Sequence, residues 1–279
     1  MSIKIVTDST CDLPAETLAR YGISVVPLYI NIAGKGYLDG IDITREEFYR
    51  DLPKYDPAPT TAVASPEKYR QVYASLAAQG ATEILSIHIS PSLSAVVDTA
   101  KLGAREITSV PITVFDSRQL SLGTGFLVET AAQLAARGMT LGEIVARLND
   151  QVKRTQVFAA LDTLEFLKRS GRMNVAVAGL GNLLQLKPLL RMFDGKATAE
   201  RVRTRERATL RLLEMLRDAG KLERVAIVHT HALERVAELR ERAAHLLPPG
   251  ELLAVDITPV IGAHIGPSAV GFACVAARK

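Results

Sequence analysis

Three times in the first half of the chain a short apolar run ends in a cluster of hydroxyl and acidic side chains, and a helix-forming stretch follows at once. Residues 3–6 lead into Thr7-Asp8-Ser9-Thr10, residues 83–89 into Ser90-Pro91-Ser92-Leu93-Ser94, and residues 112–115 into Asp116-Ser117-Arg118. Short runs with few polar positions suit strands covered on both faces, and strands alternating with amphipathic helices build a parallel sheet. The polar clusters then fall at the carboxyl ends of strands. Open α/β sheets bind ligands at that edge, because helix N-termini there offer free N–H groups and a positive dipole end to an anion. In the stretch 82–100, Ser94 stands where a strand hands over to a helix expected over 96–107, so Ser92 to Ala95 reads as an anion cradle. Simple capping of that helix by Ser92 or Ser94 explains the same residues.

The remaining punctuation extends this pattern. Asp12 before Pro14 predicts a helix start, Gly22 its stop, and residues 24–30 a strand. Thr44 with Glu47, and Thr140 with Glu143, have capping-box spacing. Residues 51–65 hold three prolines and are expected to be a loop or an extended crossing segment. Ser65-Pro66 opens a helix to about residue 79, and further helices are expected over 119–136 and up to about 153. After 155 the character changes: strands over 157–161, 186–193 and 197–202, the last two joined by Asp194-Gly195, a hairpin signal that makes them antiparallel. A helix over 163–169, helices over 206–219 and 233–246, and strands over 225–228, 252–257 and 269–276 complete an α+β half. The expected fold class is α/β with two domains. Residues 1–155 form a mostly parallel sheet flanked by helices and carry the cradle; residues 156–279 form an α+β domain with an antiparallel sheet.

Hydrophobic residues at 48% and charged residues at 23% suit a globular protein. A net charge of +4 reflects 34 basic against 30 acidic side chains, too small an excess to imply nucleic acid. The run Arg201-Val-Arg-Thr-Arg-Glu-Arg207 keeps such a module as one reading, with no reader motif beside it, and the chain lacks tryptophan for base stacking. Cys11 and Cys274 provide no disulfide framework and fit a reducing compartment. No apolar run is long enough for a bilayer span and no secretion signal is visible, so a cytoplasmic location is expected. Neither GxxxxGK[ST] nor a GxGxxG between strand and helix occurs, so no cofactor is expected; G-x-S-x-G is missing too, and His229-Thr-His231 is a weak metal pair.

Two further hydroxyls, Thr60 and Thr61, follow Pro57-Ala-Pro59, which forces an extended chain able to present them to a crevice; satisfying loop backbone is the plainer role. At this point the motifs add up. Val6-Thr-Asp-Ser-Thr-Cys-Asp-Leu-Pro14, Pro59-Thr-Thr61, Leu93-Ser94, Asp116-Ser-Arg-Gln-Leu-Ser-Leu-Gly123, Leu161-Asp-Thr-Leu-Glu165, Gly171-Arg172, Lys187-Pro-Leu-Leu190, Arg203-Thr-Arg205 and Thr258-Pro-Val-Ile-Gly-Ala-His264 together resemble the DegV family, in its order and over nearly the whole chain.

The resemblance implies a lipid-binding protein that takes a long-chain fatty acid such as palmitate or oleate. Some members serve as the non-catalytic fatty-acid-binding subunit of bacterial fatty acid kinase, whose separate ATP-binding subunit makes an acyl phosphate for phospholipid metabolism. It places the acid's carboxylate on Thr61 and Ser94, with the Ala95 N–H and Ser92 in the cradle. Arg172 and His264 lie near the domain junction, and Arg203 and Arg205 are candidates for contact with the kinase subunit. Salt bridges, or a buried hydrogen-bonded histidine, would explain the last four equally. Leu164, Leu167, Leu183, Leu190 and Val260 are candidates for an apolar tunnel or for plain core. The chain departs from the family pattern at Ala95, where glycine is usual, and at Ala62-Val63-Ala64, where Ser-Gln-Pro is usual. A stand-alone hydrolase or transferase using Asp8, Ser9 and the cradle hydroxyls on a small anionic substrate is the competing reading.

Overall fold

The computed structural model describes residues 2–172 and 186–278; Leu183 and the glycine-rich stretch 179–183 lie outside them. In chain order the first half runs β1 (Ile3–Asp8), α1 (Ala15–Tyr21), β2 (Ser24–Val26), β3 (Tyr29–Ile32), β4 (Lys35–Leu38), α2 (Arg45–Asp51), β5 (Thr60–Ala62), α3 (Pro66–Ala78), β6 (Glu83–His88), α4 (Val96–Arg105), β7 (Ile112–Asp116), α5 (Ser121–Ala136) and α6 (Leu141–Val152). The second half continues with β8 (Thr155–Ala160), α7 (Glu165–Arg169), β9 (Lys187–Phe193), β10 (Lys196–Val202), α8 (Arg205–Asp218), β11 (Leu222–His229), α9 (Leu233–Ala243), β12 (Ala254–Asp256), α10 (Pro259–Ile265) and β13 (Val270–Ala276).

The expected parallel sheet is present, in the order β2-β1-β6-β7. Val6 pairs with Ser86 and His88 with Asp116, a register that aligns the polar strand ends along one edge. Both expected capping boxes form, at Thr44 and Thr140. Two local expectations change. Asp12 caps no helix: it sits in the left-handed region at φ 54°, and α1 begins after Pro14. The strand expected over 24–30 is two strands, because Pro27 has no N–H for the ladder. β2 stays in the parallel sheet, while β3 turns away into a three-stranded antiparallel sheet, β4-β3-β5. That small sheet gives the proline-rich segment its structure, and Thr61 pairs opposite Ile30 within it.

The second large sheet has the order β10-β9-β8-β13-β11-β12. Asp194 and Gly195 turn the expected hairpin with φ of 45° and 77°, the left-handed values such a turn requires. The sheet is mixed rather than purely antiparallel, since β12 runs parallel to β11.

Helix α5 is buried between the two large sheets. Every residue from Ser121 to Val128 is buried, and its core joins Leu85 and Ile87 of β6 to Val157 of β8 and Ala273 of β13. Gly125 makes the approach feasible, because a Cβ there would overlap the Cys11 carbonyl. On the other face of the parallel sheet, Tyr69 and Tyr73 of α3 and Val96 of α4 pack with Ile30, Phe48 and Val260. Across the six-stranded sheet, Phe158 and Phe272 pack under Leu212 of α8 and Leu239 of α9. Each such side chain contributes roughly 1.5–3 kcal/mol when fully buried. Helix α10 was not expected. It is only seven residues long, opens on Pro259, and docks where Tyr49 donates to the Ile257 carbonyl at 2.8 Å. Gly262 leaves the space that the Tyr49 hydroxyl occupies.

Candidate functional site

A cavity of about 250 Å³ lies where the parallel-sheet edge, the small sheet, α10 and the near face of the six-stranded sheet meet. Each wall has a local reason. Proline-forced extension presents Thr61 from β5, and the turn after β6 presents Ser94 and Ala95 at the start of α4. Helix α10 delivers Val260, Ile261, His264 and Ile265 from one short apolar face. Strands β8 and β9 contribute Val157, Ala159, Leu190 and Met192, whose alternate positions place them on the same face.

The cradle region shows which explanation fits Ser92 and Ser94. No side chain caps α4. Ser94 is half-buried on the cavity wall, whereas Ser92 is exposed, off the wall, and paired with the Ser90 hydroxyl at 3.0 Å. Ala95 precedes the helix with φ −77° and ψ 8°, a conformation that does not call for glycine. Its N–H makes no backbone hydrogen bond among the described residues.

Thr61 Oγ1 and His264 Nε2 are 3.0 Å apart. Burial, reinforced by the nearby Arg172 charge, pushes the His264 pKa down to about 4, so the ring is neutral at pH 7. Its Nδ1 is buried and has no hydrogen-bond partner among the described residues. Arg172 is exposed at the cavity and donates to the Ser170 carbonyl at 2.8 Å. Thr61, Ser94, Ala95, Arg172 and His264 therefore share one cavity. Of the apolar candidates, Leu167, Leu190 and Val260 line it, and Leu164 packs beside it with Leu161. Arg203 and Arg205 stand elsewhere, exposed, with Arg205 3.4 Å from Asp162.

Two cavity-lining hydroxyls were not expected in the cradle, Thr10 and Ser121. Thr10 lay in a polar strand end already singled out, and Ser121 in the 116–123 motif. Behind them is a buried carboxylate: Asp12 accepts from Ser121 Oγ at 2.6 Å, from the Thr258 N–H at 2.8 Å and from Arg45 at 3.1 Å. Burial outweighs these donors, and Asp39 adds like charge, so the Asp12 pKa rises to about 7.

Asp8 and Ser9 are engaged internally. Asp8 bonds to His88 Nδ1 at 2.9 Å, and His88 Nε2 to Ser86 Oγ at 2.7 Å, which pairs with the Tyr73 hydroxyl. This acid, imidazole and hydroxyl order is that of a nucleophilic triad, but the Asp8, Ser86 and His88 side chains have no solvent exposure. Burial alone would raise the Asp8 pKa; bonds from His88, Thr10 and the Ile89 N–H hold it below the ordinary value. Ser9 Oγ accepts from the Leu28 N–H at 3.2 Å. His229 and His231 flank Asp256 at 3.6 and 3.7 Å, a carboxylate neighbour not foreseen. Among the described residues no group of three or more His, Cys, Asp or Glu side chains is placed to hold a metal ion. No described helix is long and apolar enough to cross a membrane.

The arrangement can hold an anionic head against hydroxyls, an N–H and a guanidinium while an apolar tail fills the remaining wall. The family model described as an uncharacterised protein of the DegV family matches residues 2–277. A DegV domain-containing protein of Streptomyces coelicolor is 35% identical over 273 residues, covering 96% of each chain. A solved structure from Thermus thermophilus, described as showing fatty acid binding of a DegV family protein, is 37% identical with a TM-score of 0.90, over 99% of this chain and 100% of that one. A stearic acid-binding protein of Eubacterium ventriosum is 26% identical with a TM-score of 0.88, over 99% of this chain and 98% of that one.

Proposed function

The chain belongs to the DegV family, and from that premise we propose that it binds a long-chain fatty acid, with the carboxylate on Thr61, Ser94 and the Ala95 N–H and the acyl chain along the apolar wall. The observation that carries this reading is one cavity whose wall is mostly apolar but groups those polar residues with Arg172 and His264. Similar proteins from Thermus thermophilus and Eubacterium ventriosum, described as binding fatty acids, support it.

The energetics suit such a ligand. Burying about 0.8 kcal/mol per methylene, a chain of about sixteen carbons gains on the order of 10 kcal/mol before ordering costs. A desolvated carboxylate needs donors, or it takes up a proton. Hydroxyls and an N–H supply them without a bidentate counter-charge, so a carboxylate oxygen keeps its nucleophilicity. In this reading the protein is a carrier, with residues 1–155 supplying the cradle. A separate kinase subunit brings ATP, the carboxylate oxygen attacks the γ-phosphorus, ADP leaves, and the acyl phosphate departs toward phospholipid synthesis. Arg203 and Arg205, exposed beside the start of α8, would meet that subunit.

Native mass spectrometry of the purified protein, followed by organic extraction, tests the binding. A stoichiometric fatty acid is expected, and Ser94→Ala or Thr61→Val should weaken its uptake about tenfold or more, the worth of a hydrogen bond to a charged group. A ligand-free mass together with failure to take up palmitate or oleate would overturn the carrier and favour an enzyme acting on a smaller anion. Unchanged affinity in both variants would overturn the cradle.

A further inference from the structure

A second cavity, of about 570 Å³, lies on the opposite face of the six-stranded sheet from the first. Strand alternation sets this up: the side chains of Leu190 and Met192 face the apolar cavity and those of Arg191 and Phe193 the other side, toward α8, although Arg191, as part of the strand between them, also borders the first cavity. The charges around it are mostly spent. Arg211 is held by Glu200 at 2.7 and 3.0 Å and by Glu214, Arg154 by Asp150 and Glu223, and Arg278 by Asp150 at 3.1 Å. Two cations on the wall, Arg191 and Lys153, make no ion pair among the described residues. Arg191 Nε is moreover buried without any hydrogen-bond partner among them. A buried guanidinium N–H with no acceptor is costly and uncommon in a native fold. Beside it the guanidinium lies over the Phe193 ring, 5.1 Å from its centre, and that ring is 38% exposed.

We propose that this cavity is a second ligand site, distinct from the fatty-acid site, which takes a small phosphate ester carrying an apolar or aromatic body. The unmatched N–H of Arg191 supplies directional donation to a phosphoryl oxygen, and Lys153 adds a mobile point charge. Phe193 and Met215 give the body of the ester an apolar surface to pack on. The ion-paired carboxylates keep Arg154, Arg211 and Arg278 in place as a rim and lower the net charge, which disfavours more highly charged anions without an apolar part.

Isothermal titration of the full, lipid-free chain with phenyl phosphate and with inorganic phosphate tests this. Phenyl phosphate is expected to bind stoichiometrically and about tenfold more tightly than inorganic phosphate. Arg191→Gln and Lys153→Gln should each weaken it about tenfold or more. Lys153→Gln should leave fatty-acid uptake unchanged, since Lys153 is not on the first cavity's wall. If Arg191→Gln fails to fold, Lys153→Gln carries the test alone. No binding of phenyl phosphate at millimolar concentration, or binding indifferent to the variants, would overturn the site. Equal affinity for inorganic phosphate would overturn the ester. Binding only to phosphatidylglycerol vesicles, lost in the same variants, would overturn the soluble ligand in favour of a lipid surface.

Discussion

Replacing Asp12 by asparagine should change how the stability of this protein depends on pH. The Asp12 side chain is fully buried, yet three donors from distant segments converge on it, Arg45, Ser121 and the Thr258 N–H. Donors favour the carboxylate and burial favours the acid; burial prevails and takes the pKa from 3.8 to about 7. A rise of about three, at about 1.4 kcal/mol for each, amounts to about 4 kcal/mol. The sign follows from proton binding. Between pH 4 and 7 the folded chain keeps a proton on Asp12 that the unfolded chain has lost, so stability is fully present below about pH 4, falls across that window, and levels off above about pH 7. An asparagine at this position cannot titrate, so the stability of the wild type relative to Asp12→Asn should fall by about 4 kcal/mol from pH 4 to pH 8, whatever constant offset the altered hydrogen bonds add. Urea unfolding of both proteins, lipid-free to exclude stabilisation by ligand, measures this difference directly. A difference constant across the range, or one that grows with pH, would show that the donors keep Asp12 ionised against the effect of burial.

Gly271→Ala should cost about 4 kcal/mol or more, because its Cβ would overlap the Phe158 carbonyl oxygen in the neighbouring strand, where only backbone could move; a thermal scan near that of the parent would contradict this. In the empty protein His264 should titrate near pH 4, and addition of oleate should raise that value, since a carboxylate beside Thr61 favours the imidazolium. NMR of the imidazole Cε1–H follows both, and an unmoved titration would place the carboxylate away from His264.

The parts of the fold that were legible in the sequence are those in which local pattern and tertiary environment agree. The strands ending at Asp8, His88 and Asp116 are apolar runs bounded by polar clusters, and Asp194-Gly195 fixes a hairpin through backbone conformation alone. Where a residue's partners are remote in sequence, pattern failed. Asp12 has the spacing of a helix start, but its partners Ser121 and Thr258 lie 109 and 246 positions away. The small antiparallel sheet was hidden by prolines that break the strand pattern without preventing β5 from pairing. Helix α10 is apolar over nearly its whole length and too short to show a helical period, so its contribution to the cavity could not be seen as a helix. Thr61 was visible from the prolines before it, and His264 only because the family motifs contain it; nothing in either neighbourhood says that they are 3.0 Å apart.

The order of strands in the six-stranded sheet also dictates an order of assembly. β13, translated after every other strand of that sheet, occupies an interior position between β8 and β11. Until residues 270–276 have emerged, β8 and β11 have no common neighbour, and α5 has no complete second sheet to close over it. The nascent chain therefore carries half-made pairings and an incompletely covered apolar helix through much of the second half of its synthesis. Closing contacts between residues more than a hundred positions apart, such as Val157 with Ala273, is slow, and the exposed intermediate is prone to aggregate. A ribosome-bound chain halted before residue 270 would already hold every residue that lines the cavity, the last being Ile265, yet lack the strand that joins β8 to β11 and so fixes the two parts of the wall in one sheet.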